Sequence, residues 1–191
     1  ANLSHALFGQ MTSVLAIDGS PRGNGRTRTV LDAVLDGARA AGAQGTVIEL
    51  ADGPDAIARA VSQAGSHDAF VLGAPAYRAA PAAPLKAFLD VLPRGFWGET
   101  EKPITAHAVS LVITGSTYHH YLALDGLRSI LAGFFAAHVL SPGLYVSSDG
   151  FLDGELTPAM TEIAHAQGRT LVALAAAIEK SPDLQSIQPQ A

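Results

Sequence analysis

Residues 14–31 read Val-Leu-Ala-Ile-Asp-Gly-Ser-Pro-Arg-Gly-Asn-Gly-Arg-Thr-Arg-Thr-Val-Leu, and this stretch decides the fold. Val14 to Ile17 is a short apolar run, the mark of a strand buried on both faces. Gly19, Gly23 and Gly25 then free the backbone to turn tightly and to approach a ligand. From Thr27 onward, Val30, Leu31, Val34, Leu35 and Ala38 recur at helical spacing. The order is therefore strand, Gly/Ser/Arg loop, helix N-terminus. A helix N-terminus offers unpaired N–H groups and a partial positive charge, which suits a phosphate. Ser20 and Thr27 add hydroxyls, and Arg22, Arg26 and Arg28 add cationic donors. No Gly-Lys-Ser/Thr follows, so this is not a P-loop, and the glycines do not fit G-x-G-x-x-G. The alternative is an ordinary strand-to-helix turn with solvated arginines.

Outward from this stretch, strand and helix signals alternate. The first helix is expected from about Thr27 to Ala41, ended by Gly42. Thr46 to Leu50 reads as a second strand, and Pro54 opens a helix whose apolar face is Ile57, Ala60, Val61 and Ala64. Ala69 to Leu72 is a third strand. Pro84 opens the next helix, with Leu85, Phe88, Leu89 and Leu92 on its buried face and Pro93 at its end. A fourth strand lies within Ala106–Ile113, and Leu124, Leu127, Leu131, Phe134 and Phe135 mark a fourth helix. Gly143 to Ser147 reads as a fifth strand, and Thr157-Pro158 starts the last helix. Such alternation implies an α/β fold, a parallel sheet covered by helices on both sides. Ligands of such sheets bind outside the carboxyl ends of the strands, at the switch point. Three loops leave those ends: 19–27, 74–81 and 114–120.

The chain has 191 residues, 48% hydrophobic and 15% charged, which is the composition of one globular domain. Without cysteine it has no disulfide, thiolate metal site or cysteine nucleophile. A net charge of -5 with no basic stripe argues against nucleic acid as a main partner. The longest nearly apolar stretch, Ile130 to Leu140, is too short to span a bilayer, so no membrane partner is expected. Residues 1–10 do not read as a signal peptide. Residues 1–12 are expected to be a leader or cloning remnant, 13–180 the folded domain, and 181–191 a flexible tail.

The second loop reads Ala74-Pro75-Ala76-Tyr77-Arg78-Ala79-Ala80-Pro81, small residues around one tyrosine, with room for a flat ligand against backbone. Taken alone it reads better as a proline-rich connection with an exposed tyrosine. Three segments together change the balance. Gly19-Ser20-Pro21-Arg22, then Pro75 to Arg78 with Leu85-Lys86 and Asp90, then Thr114-Gly115-Ser116-Thr117 with His120 resemble the NADPH-dependent FMN reductase family. The resemblance extends over about residues 13–178 and is strongest to the reductase components of two-component flavin-dependent monooxygenase systems, such as those of alkanesulfonate desulfonation. It implies a flavodoxin-like three-layer αβα sandwich with a five-stranded parallel sheet in the order 2-1-3-4-5. It further implies FMN and NADPH or NADH as cofactors, hydride transfer from nicotinamide to flavin, a monooxygenase as recipient of reduced FMN, a homodimer or homotetramer, and a cytoplasmic location.

Position by position, the resemblance assigns Ser20, Arg22, Arg26 and Thr27, with Asn24 between them, to the FMN phosphate. It assigns Pro75, Ala76, Tyr77 and Arg78 to the isoalloxazine ring, and Thr114, Gly115, Ser116, Thr117 and His120 to the ring's other edge. Lys86 and Asp90 read as a helix-supporting i,i+4 pair. Gly25 stands where the family usually has serine, Ser116 replaces a glycine, and Ala51 to Asp55 is shorter than in the sulfonate-linked reductases. No acid–base catalyst is nominated, because the cofactor carries the chemistry and the protein supplies position and electrostatics. No metal site is expected: His119 and His120 are adjacent, and no H-E-x-x-H occurs. The Gly-x-Ser-x-Gly of a serine hydrolase is also missing around Ser20. Alternative functions are a quinone- or azo-type reductase with tightly bound FMN, a flavodoxin-type carrier without NAD(P)H turnover, and an interaction module. The apolar excess of the helix around Leu122–Phe135 reads either as a face for a partner subunit or as a helix buried within the monomer.

Overall fold

The computed structural model describes residues 11–189. The segment expected as a leader lies outside the described residues except for Met11 and Thr12. In chain order the elements are β1 (Ser13–Asp18), α1 (Arg26–Ala40), β2 (Gln44–Glu49), α2 (Pro54–Ala64), β3 (Ala69–Tyr77), β4 (Ala80–Pro81), α3 (Ala83–Val91), β5 (Ala108–Thr114) and α4 (Ala123–Ser129). β6 (His138–Val139), β7 (Leu144–Val146), β8 (Phe151–Leu152), β9 (Glu155–Leu156), α5 (Pro158–Glu179) and α6 (Pro182–Gln185) follow.

The main sheet runs β2-β1-β3-β5, all parallel, and its fifth position is shared by β6 and β7. This is the expected 2-1-3-4-5 order, with the last strand in two pieces. β6 pairs with Ala108 and Val109, and β7 pairs with Val112 to Thr114. Between them lies Pro142, whose missing N–H cannot join a ladder. Gln167 of α5 covers the break, its Nε2 donating to the Pro142 carbonyl at 3.1 Å and to buried Ser110 Oγ at 3.0 Å.

The period-2 alternation of each strand divides the core into two layers. Leu15, Ile17, Phe70, Leu72, Leu111 and Ile113 point to one face, where α2, α3 and α4 pack through Ala60, Leu85, Phe88 and Leu127. Val14, Ala16, Val71 and Val112 point to the other, where α1 and α5 pack through Val30, Val34, Ala164 and Leu171. The α1–α5 contact is backbone on backbone. A Cβ on Gly168 would stand 1.9 Å from the Val34 carbonyl oxygen, and one on Gly37 would stand 2.1 Å from that of His165.

The fourth helix differs from the single helix read in the sequence. α4 ends at Ser129, and Ile130–Phe134 form a wider π turn. From Ser181, the segment expected as a flexible tail carries α6, capped by the Ser181 side chain. It reaches back to the body: His138 Nε2 lies 2.8 Å from the Leu184 carbonyl oxygen, and Lys102 Nζ donates to Gln188 Oε1 at 2.5 Å.

Candidate functional site

Parallel pairing brings the strand ends to one edge. Asp18 is opposite Gly73, Pro75 is opposite Thr114, and Thr114 is opposite Val146. The three loops named from the sequence therefore start side by side. The first turns at Gly19, whose N–H donates to the Gly73 carbonyl at 2.7 Å. A Cβ at Gly19 would lie 2.5 Å from Leu85 Cβ, so only glycine lets α3 begin against this loop.

The first loop passes through two successive left-handed residues, Gly23 (φ 60°) and Asn24 (φ 43°), and enters α1 at Gly25. Gly25 is the helix N-cap and supplies no side-chain cap to the first-turn N–H groups. Arg22, Asn24 and Arg26 are exposed around this helix start. Arg22 makes no hydrogen bond or ion pair among the described residues. Arg26 leans across to the fifth strand, where Nη1 donates to Ser148 Oγ at 2.9 Å and the guanidinium lies 5.1 Å from the Phe151 ring centre. Thr27 is buried, and its Oγ1 shares a 2.9 Å hydrogen bond with Thr114 Oγ1. Arg28, expected as a third cationic donor, turns behind the loop. Its Nε is 2.9 Å from both carboxylate oxygens of Asp32, and its Nη1 donates to Glu49 Oε1 at 2.5 Å. Those two carboxylates, one helical turn on and at the end of β2, claim its charge.

Beneath the loop, Asp18 and Ser20 are both buried, and the Ser20 N–H donates to Asp18 Oδ1 at 2.9 Å. Asp18 Oδ2 is buried without a hydrogen-bond partner among the described residues. Burial pushes the Asp18 carboxyl up from the usual 3.8 to about 6, against the lowering effect of the Ser20 N–H.

The second loop is a hairpin rather than a plain connection. β3 runs on to Tyr77, turns at Arg78 (φ 52°) and Ala79 (φ 64°), and returns as β4, with Tyr77 opposite Ala80. A two-residue turn with both φ positive normally takes Asn-Gly, so this tip holds two non-glycine residues in a costly conformation. Tyr77 and Arg78 are exposed on it, with Pro75 and Ala76 half-buried behind.

The third loop is fastened to the end of the fifth strand. The Gly115 N–H donates to the Val146 carbonyl at 3.0 Å, and the Tyr145 hydroxyl donates to the Thr117 carbonyl at 2.6 Å. A Cβ at Gly115 would stand 2.0 Å from that hydroxyl, so a side chain here would displace the Tyr145 ring end from its hydrogen bond. Burial pushes the Tyr145 phenol up from 10.0. Ser116 and Thr117 are exposed and His120 is half-buried. His119, not His120, touches Thr117, with Nδ1 3.0 Å from Oγ1.

Sequence reasoning missed Tyr145, Ser148 and Phe151, which lie at or beyond the end of β7. The signal was available, because a fifth parallel strand must deliver its carboxyl end to the same edge. The Lys86–Asp90 pair forms on α3 as expected. A cavity of about 400 Å³ lined by Thr12, Asp68, His107 and Glu179 lies at the opposite edge, where the strands begin, away from these loops.

The arrangement joins an uncapped helix start with Arg22 beside it, a small-residue hairpin topped by Tyr77 and Arg78, and a glycine-containing third loop. This donor set fits a phosphate at one end and a flat, hydrogen-bonding ring system at the other. A family model described as NADPH-dependent FMN reductase matches residues 12–151. Among solved structures, an NADH:FMN oxidoreductase in its apo form is 23% identical, with a TM-score of 0.73 over 92% of this chain and 94% of its own. An oxidoreductase from Corynebacterium diphtheriae is 21% identical, with a TM-score of 0.68 over 91% of this chain and 100% of its own. An archaeal flavodoxin, 12% identical, gives 0.61 over 86% and 99%. These three likenesses are of fold. No curated protein matches the chain.

Proposed function

Because the chain belongs to the NADPH-dependent FMN reductase family, and is a flavin reductase by that membership, we propose that it treats FMN as a substrate, reduces it with NADPH or NADH, and releases it to a flavin-dependent monooxygenase. When bound, the flavin supplies the hydride-accepting chemistry. The chain's residues bind, orient and shield. Arg22, Asn24, Ser20 and the first-turn N–H groups of α1 hold the phosphate. Arg26 steadies the rim through Ser148 and Phe151, and Thr27 contributes its backbone N–H while its hydroxyl fastens α1 to Thr114. Pro75 to Arg78 support the ring face, and Thr114 to Thr117 with His120 border its far edge. Arg78 is placed at the hairpin tip to meet a dinucleotide phosphate. No side chain is assigned as acid or base.

The observation that carries this reading is the α1 start at Gly25. It has no side-chain cap, stands at the edge where the loops converge, and has exposed Arg22 next to it. A homodimer or homotetramer is supported by exposed Tyr121, Leu122 and Phe134 around α4, where Leu124 and Leu127 of the helix and Leu131 of the π turn are already spent on the core. Among the described residues no helix is long and apolar enough to cross a membrane; a cytoplasmic location is part of the proposal.

The test is NADPH or NADH oxidation by purified protein, followed at 340 nm in air while FMN is titrated. Saturating dependence on added FMN is the expected result. Turnover that needs another acceptor but no added FMN would move the assignment to a tight-flavin reductase of the quinone or azo type. Flavin binding with no oxidation would make it a flavodoxin-type carrier.

A further inference from the structure

We propose that the loop after β1 takes up its phosphate together with one proton, and that buried Asp18 is where that proton resides. The proposal rests on the flavin reading of the site. Asp18 ends β1 and is tied to the loop by its own carboxyl, which accepts the Ser20 N–H at 2.9 Å. Its second oxygen is buried with no partner among the described residues. A buried carboxylate oxygen without a donor is costly, whereas the protonated group is neutral.

The surroundings hold little positive charge to relieve it. From β2, Glu49 is the register partner of Asp18, and its Oε2 would stand 2.6 Å from a Cβ on Gly23. From α1, Asp32 and Arg28 face the group, and Arg28 is already divided between Asp32 and Glu49. From β3 the partner is Gly73, and α3 presents Leu85 to Gly19; neither ionises. Three carboxyls thus share one guanidinium under a loop built to receive an anion. A phosphate monoester on that loop brings further negative charge within a few residues of Asp18. Like charges disfavour joint ionisation, so the bound anion favours the protonated acid.

Burial holds the Asp18 carboxyl at about 6 in the ligand-free protein. At neutral pH it is therefore mostly ionised before binding, and the proton comes from solvent. Linkage fixes the sign: affinity is greatest where Asp18 is already protonated, and falls as pH rises above about 6 until the complex also loses the proton. An upward shift of about one unit on binding makes affinity roughly tenfold lower on the alkaline side. The ligand's own second ionisation, near about 6, acts in the opposite sense and is common to wild type and variant.

Calorimetry of the full chain at pH 7.5, in two buffers of different ionisation enthalpy, measures the protons taken up. Wild type is expected to take up about 0.2 proton with FMN at this pH, for a one-unit shift, and none with riboflavin, which lacks the phosphate. Asp18→Asn is expected to abolish the uptake. Between pH 6 and 8, the variant should gain FMN affinity relative to wild type by about fivefold, half of the tenfold limit already being spent at pH 6. Wild-type binding of FMN with no more uptake than riboflavin overturns the proposal and leaves the flavin reading standing. Uptake that persists in Asp18→Asn overturns the assignment to Asp18. Failure of FMN to bind overturns both. Should the variant not fold, the wild-type comparison of FMN with riboflavin decides the matter.

Discussion

The hydrogen bond between Thr27 and Thr114 joins the first turn of α1 to the end of β5, and removing it separates two roles for one hydroxyl. Thr27→Val keeps the branched shape, and the two residues have similar helix propensity, so only the hydroxyl is lost. Thr114 is 4% exposed, and water cannot replace the missing partner. The cost is then that of a stranded buried hydroxyl, about 1–3 kcal/mol, rather than the ~1 kcal/mol of a simple lost bond. For a chain of this size that corresponds to roughly 2–4 °C in Tm for each kcal/mol. Thr114→Val should cost a similar amount. The double variant strands neither group, so it should cost less than the two singles together, with a coupling of about 0.5–3 kcal/mol. Urea unfolding of the four proteins measures this. Additive losses, or singles within about 0.5 kcal/mol of wild type, would refute the account of the bond. Flavin binding supplies the second readout. If the hydroxyl belongs to Thr114, Thr27→Val leaves the ratio of FMN to riboflavin affinity unchanged. A selective loss of FMN would put the hydroxyl on the phosphate instead.

Arg22→Ala should weaken FMN by about 1.5–3 kcal/mol, the range for a charge-assisted hydrogen bond, and leave riboflavin unchanged; an unaltered FMN titration removes Arg22 from the site. Asp18 has a folded-state carboxyl raised from 3.8 to about 6, so its ionisation opposes folding. Its stabilising contribution is complete below about 4, is lost as pH rises to about 6, and leaves a deficit of up to about 3 kcal/mol above that. Asp18→Asn should therefore be more stable than wild type at pH 7.5 and not at pH 4; an equal change in denaturant midpoint at both would sink this reading. Gly168→Ala places a Cβ 1.9 Å from the Val34 carbonyl oxygen and must push α5 off α1. A loss of at least about 1–3 kcal/mol is expected in thermal unfolding, and a neutral result would mean the helices are not so tightly apposed.

The topology was legible because each central strand announces itself. Val14–Ile17 and Ala69–Leu72 are apolar without interruption, the run from Ala108 to Ile113 is broken only by Ser110, and the helices between them carry one apolar face each. β6 was not legible. Two residues have no periodicity, and His138–Val139 become strand only because β5 offers an open edge to pair with. The π turn was hidden for a related reason. Leu124, Leu127, Leu131 and Phe135 keep a buried face through it, so the pattern of burial continues while the hydrogen bonding changes. β3 ran longer than read because Ala76 and Tyr77 hold their extension by pairing with Pro81 and Ala80, which apolar content does not record.

At the candidate site, residue types suggested a chemistry for the loops but did not reveal the allocation of their donors. Arg22, Arg26 and Arg28 have the same side chain within seven positions, and the fold sends them three ways. Part of this was in the sequence, since Asp32 stands one turn after Arg28 on a helix. Glu49 and Ser148 were not, because their proximity depends on which strands flank β1 and β5. Arg28, shared by Asp32 and Glu49, offsets only one of their two negative charges. It also leaves Asp18 without a cation of its own. The same parallel register that gathers the loops thus gathers their acids beneath them. The phosphate end proposed for this site is one charge system, with Arg22 and the helix start above and Asp18 below, and the proposal makes its net charge change as Asp18 titrates at about 6.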